Sequence, residues 1–72
     1  MKLTLHIERY TIVRNGRGWD AACEGVLLTE AGMKFQDLWA VNSCRFAFFA
    51  ARKARRELRR KARGIIRGER RA

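Results

Sequence analysis

The 72 residues predict an α+β domain in which a three-stranded antiparallel β-meander packs on one long basic C-terminal helix, in the order β-β-β-α. Three observations support that class. Two early stretches alternate apolar and polar residues with the period of a strand. A glycine-bearing turn, Asn15-Gly16-Arg17-Gly18, separates them. From Cys44 onward the chain is rich in Ala, Arg, Leu and Lys, all strong helix formers, and the chain contains no Pro. The expected domain spans residues 1–66, and 67–72 read as a frayed basic tail.

The first strand, over residues 3–13, sets Leu3, Leu5, Ile7, Thr11 and Val13 on one face and Lys2, Thr4, His6 and Glu8 on the other. Arg9 interrupts the apolar face and marks a place for a bulge, as does Gly25 in the second strand. In that second strand Trp19, Ala21, Cys23 and Leu27 share one face, and Asp20, Ala22 and Glu24 the other. A loop of Gly16-Arg17-Gly18 places Val13 across from Ala21, Ile7 across from Leu27 and Arg14 across from Asp20. Glu30-Ala31-Gly32 reads as the second turn. Residues 33–41 read as a third strand, with Phe35, Trp39 and Val41 on one face and Lys34, Gln36 and Ala40 on the other. A helix capped by Asp37 is the competing assignment. Asn42 or Ser43 supplies the N-cap of the final helix. Along that helix Cys44, Ala47, Ala51, Ala54, Leu58, Ala62 and Ile65 fall in one arc of roughly 80°. Arg45, Arg52, Arg56, Arg59 and Arg63 lie opposite. The sheet face away from the helix is expected to show His6, Tyr10, Ile12, Asp20 and Glu24.

Charge is the feature with functional content. Residues 1–40 carry as many acids as bases, so the whole formal net charge of +10 lies on residues 41–72. Eight of the twelve residues from Arg52 to Arg63 are Lys or Arg. Bases at every third or fourth helical position stand roughly 5 to 6 Å apart, a spacing that follows a phosphate backbone. Arginines outnumber lysines thirteen to four. A guanidinium grips phosphate as a planar fork, although a GC-rich genome produces the same bias. The expected contacts are Arg45, Arg52, Arg55, Arg56, Arg59, Arg60, Lys61 and Arg63, extended by Arg14 and Arg17 at the hairpin tip. Phe46 and Phe49 read as residues of the first helical turns buried under Trp39, with contact to a partner, including a second copy of the chain, as the alternative.

The stretch from Tyr10 to Ala21, Tyr-Thr-Ile-Val-Arg-Asn-Gly-Arg-Gly-Trp-Asp-Ala, with two further strands and an Ala/Arg-rich helix behind it, resembles the amino-terminal arm-binding domain of phage-type tyrosine integrases. That fold in turn is similar to the plant AP2 domain. The resemblance implies DNA reading by the three-stranded sheet, with the helix packed behind. It covers twelve residues and does not amount to membership. This chain departs from the pattern, because Asp20 and Glu24 fall on the reading face and the positive charge falls on the helix.

Other chemistry finds little support. His6 is the one histidine, and Cys23 and Cys44 are far from it in sequence and outside any CxxC spacing. Both cysteines read as buried thiols in preference to a disulfide. No catalytic arrangement, metal set or cofactor is expected. The longest apolar run, Phe46–Ala51, is far shorter than the roughly 20 residues that cross a bilayer, and alanine on the helical apolar arc partitions weakly into a membrane surface. The expectation is a small non-enzymatic nucleic-acid-binding protein, acting on DNA or RNA through its basic helix. Its location would be the cytoplasm, or the host-cell cytoplasm if phage-encoded. The competing expectation is a phage- or mobile-element-type inhibitor or adaptor, anti-CRISPR-like, that docks on an acidic protein surface.

Overall fold

The computed structural model describes residues 2–71, with side chains for residues 2–69. Its elements are β1 (Thr4–Asn15), β2 (Gly18–Leu28), β3 (Lys34–Cys44) and α1 (Ala47–Arg71). The strands form one antiparallel sheet in the order β1-β2-β3. The β-β-β-α arrangement is therefore as the sequence predicts, and residues 34–41 belong to a strand.

The registers differ from expectation, and the difference decides which residues face the helix. Asn15 pairs with Gly18, so the first loop is the two residues Gly16-Arg17. Gly16 has φ 60°, and no non-glycine among the described residues has a positive φ. This is the type II′ pattern, whose twist matches that of the flanking strands. Pairing moves by one residue relative to a three-residue loop: Arg14 faces Trp19, Val13 faces Asp20, Ile12 faces Ala21 and Tyr10 faces Cys23. A bulge between Ile7 and Arg9 then resets the alternation, so that Ile7 faces Gly25 and Leu5 faces Leu27. Leu5 and Ile7 thus share the helix side with Tyr10 and Ile12, which the sequence reading placed on the open face. Thr11 and Val13 turn outward instead.

The third strand has the opposite facing from that expected. Leu38 and Ala40 are buried across from Gly25 and Cys23, whereas Trp39 and Val41 lie on the open face and are exposed. Small residues explain the choice. The helix seats Ala50, Ala54, Leu58 and Ala62, all buried, against Ala21, Cys23, Leu27, Leu38 and Ala40. An indole at position 40 would hold the two layers apart. β3 also runs further than expected, to Cys44, so Asn42 and Ser43 are strand residues and not caps. The helix opens after Phe46, whose carbonyl accepts a hydrogen bond from the Ala50 amide at 3.0 Å. Ser43 Oγ donates to Asp20, and Asn15 Nδ2 donates to the same carboxylate at 2.9 Å. Asp20 therefore ties all three strands together, in place of the predicted pair with Arg14. The second turn closes as expected, with the Gly32 amide bonded to the Thr29 carbonyl at 2.9 Å. Helical conformation continues through Arg71, across the stretch read as a tail; Ala72 lies outside the described residues.

α1 lies over β2 and β3 and barely touches β1. Gly25 has no room for a side chain: a Cβ there would stand 2.8 Å from the His6 carbonyl oxygen of β1 and 3.2 Å from Leu58 Cδ2 of α1. Gly25→Ala is expected to cost about 1–3 kcal/mol through overpacking. Urea unfolding followed by circular dichroism measures this, and an unchanged midpoint would contradict so tight a seat.

Candidate nucleic-acid interface

The basic side chains are sorted around the helix. Arg52, Arg55, Arg56, Arg59 and Arg63 project along the flank that overlooks β1. Arg52 and Arg55 line a cleft of about 250 Å³ with Tyr10, Phe48 and Ala51. Further along, Arg56, Arg59 and Arg63 wall a second cleft of about 470 Å³, floored in part by Leu5, Ile7 and Ile66. All five arginines are exposed. Among the described residues none of them pairs with an acid, the salt bridges being Arg9–Glu24, Lys34–Asp37 and Arg60–Glu57. The opposite flank differs. Lys61 Nζ donates to the Trp39 carbonyl at 3.0 Å, and Arg60 pairs with Glu57. Spacing by four residues puts Lys53 on the same side as Glu57 and Lys61.

Of the ten expected contact residues, five therefore line the two clefts between β1 and α1. Arg14, Arg17 and Arg45 form a separate group at the hairpin tip, around Gly18. Arg45 sits in the link before α1, and Arg14 lies over the Trp19 ring, 5.6 Å from its centroid. Arg60 and Lys61 face away from the groove. The sequence reading did not assign Tyr10 to this site, nor Phe48. Tyr10 was hidden by the displaced register, and the helical spacing of Phe48 to Arg52 and Arg55 was the one available signal.

Phe46 and Phe49 are not buried under Trp39: they are 57% and 46% exposed, and Trp39 is on the other side of the sheet. Their rings meet edge to face at 6.1 Å. Phe48 joins them against Phe49 at 5.5 Å.

The open sheet face has the contrary electrostatics. It displays Asp20, Glu24 and Asp37, with Arg9 held to Glu24 at 2.6 Å and Lys34 to Asp37 at 2.7 Å. The hydrogen bond to Glu24, with the carboxylate charge, pushes the Arg9 guanidinium further up, and Asp37 does the same for Lys34. Cations on this face are already occupied. His6 stands there across from Val26. Among the described residues no group of three or more His, Cys, Asp or Glu is placed to hold a metal, and no helix is long and apolar enough to cross a membrane.

Comparisons with protein-family models, with curated proteins and with solved structures yield no match to this chain.

Cys23 is fully buried on the helix side, and burial pushes its thiol up from the ordinary value. Cys44 is partly buried and pairs across the sheet with Trp19, four residues along β2 from Cys23. That offset of about 13 Å rules out a disulfide between them in this fold. A thiol reagent applied to the native protein is expected to label Cys44 first and Cys23 only on unfolding. Because folding raises the Cys23 pKa, its contribution to stability is complete below the ordinary thiol range and declines as pH rises through the folded value. Equal labelling rates, read by mass spectrometry, would contradict this placement.

Proposed function

We propose that this chain is a non-enzymatic nucleic-acid-binding module that holds the phosphate backbone along the arginine flank of α1. One observation carries the reading: five exposed arginines without acidic partners among the described residues line two successive clefts between β1 and α1. Like charges so close together repel and destabilise a helix by themselves. A polyanion removes that repulsion and releases its own counterions. The arginine group at the hairpin tip extends the positive surface beyond the start of the helix.

The geometry favours the helix flank over the open sheet face as the contact surface. That face carries Asp20, Glu24 and Asp37, which repel phosphate, and its Arg9 and Lys34 are paired. A sheet-reading mode of the integrase arm-binding kind is therefore disfavoured. The reading places the protein in the cytoplasm, or in that of a host cell if phage-encoded. An inhibitor docking on an acidic protein surface draws on the same charge. Capture from lysate separates the two, because a stoichiometric protein retained after nuclease treatment is the result that favours the inhibitor.

Fluorescence anisotropy with labelled DNA and RNA over a salt series tests the proposal. If five phosphates are neutralised, log affinity is expected to fall against log salt with a slope of about −4.5 for a duplex and about −3.5 for a single strand. Arg59→Gln should reduce that slope by about 0.7 to 0.9. Absence of binding to every oligonucleotide, or affinity indifferent to salt, would remove the reading.

A further inference from the structure

We infer that the groove between β1 and α1 takes a single strand and not a duplex, with bases stacked on Tyr10 and Phe48 and phosphates on the arginines above them. This rests on the nucleic-acid reading and narrows it. Tyr10 is 42% exposed and Phe48 is 70% exposed, and they line one cleft from opposite sides, Tyr10 from the strand and Phe48 from the helix. Arg52 and Arg55 line the same cleft. The apolar floor continues through Ile7 and Leu5, beside Arg56, Arg59 and Arg63. Each of the two clefts along this flank thus sets apolar surface beside guanidinium groups, aromatic in the first and aliphatic in the second.

Duplex and single strand make opposite demands on such a surface. A duplex keeps its base faces stacked inside and offers a rigid rail of phosphates. It would engage the arginines and leave the aromatic rings against water or against phosphate oxygen. A single strand turns its bases outward, and each base has a π-face that stacks on an aromatic ring whatever its sequence. It can cover the floor with bases while its phosphates reach the arginine rim. Charge complementarity commits the groove to a polyanion. The interleaved rings then select the polyanion that has exposed bases.

The test compares a single strand of about 12 nucleotides with the duplex of the same sequence, at one salt concentration. The single strand is expected to bind more tightly. Phe48→Leu and Tyr10→Leu keep apolar bulk but remove the stacking face. Each is expected to weaken single-strand binding roughly five- to a hundredfold and to leave duplex binding within about twofold, with Phe48→Trp restoring affinity. Trp39→Leu, on the opposite sheet face, serves as the control and should change neither. Circular dichroism confirms that each variant is folded. Duplex binding as tight as that of the single strand, with single-strand affinity indifferent to both leucine variants, would overturn this inference and leave the nucleic-acid reading standing. Loss of self-association in Phe48→Leu with single-strand affinity unchanged would overturn it equally, since the rings would then serve a second copy. If neither form of nucleic acid binds, both readings fall.

Discussion

The rest of the structure depends on how closely α1 lies against the sheet. Ala50, Ala54 and Ala62 on the helix share the core with Ala21 and Ala40 on the strands, Leu58 is fully buried beside the bare backbone of Gly25, and Ile65 and Ile66 pack at its edge. A helix is about 10 Å across and strands are spaced about 4.8 Å apart. One helix seated this low covers two strands of three. Here it covers β2 and β3, and the helix-side residues of β1 stay partly uncovered. The groove is a by-product of that asymmetry, because a bulkier stripe would lift the helix away and erase its wall. The arginines on that wall owe their position to the same helical phase that buries the alanines.

Charge follows the same division. On the open sheet face Glu24 and Asp37 each hold a cation, and Asp20 accepts from the Ser43 hydroxyl. The helix has Glu57 and Glu69 against its many bases, and Glu57 is taken by Arg60 on the far flank. The molecule therefore has one face that is acidic on balance, with Asp20, Glu24 and Asp37 against Arg9 and Lys34, and one whose positive field is uncompensated. The uncompensated field extends only about one Debye length in physiological salt. Its effect is therefore local attraction, concentrated where the low-dielectric floor of the groove borders the guanidinium groups.

The sequence made the architecture legible, because period-two alternation, an Asn-Gly turn and an Ala/Arg-rich terminus each point to one kind of element. The basic flank was legible for the same reason, since helical phase alone places Arg52, Arg56, Arg59 and Arg63 together. Facing within the sheet was not. A one-residue difference in the first loop exchanges Val13 for Ile12 at the helix side, and the bulge at Glu8 reverses the alternation again. Two local features that nearly cancel are hard to extract from hydropathy when both faces carry apolar residues. In β3 the large aromatic side chains suggested the core, yet the tight helix seat selected Leu38 and Ala40. Tyr10 was misplaced through the first of these effects, and with it half of the aromatic cleft.

The cations along the groove wall are arginine without exception, while Lys53 and Lys61 sit on the other flank, one of them bonded to a strand carbonyl. Guanidinium groups do not react with the acyl donors that neutralise amines. Acetylation of this helix would therefore fall on the flank that grips β3 and spare the one that overlooks β1. A cell seeking to silence this surface by erasing charge would have to modify arginine.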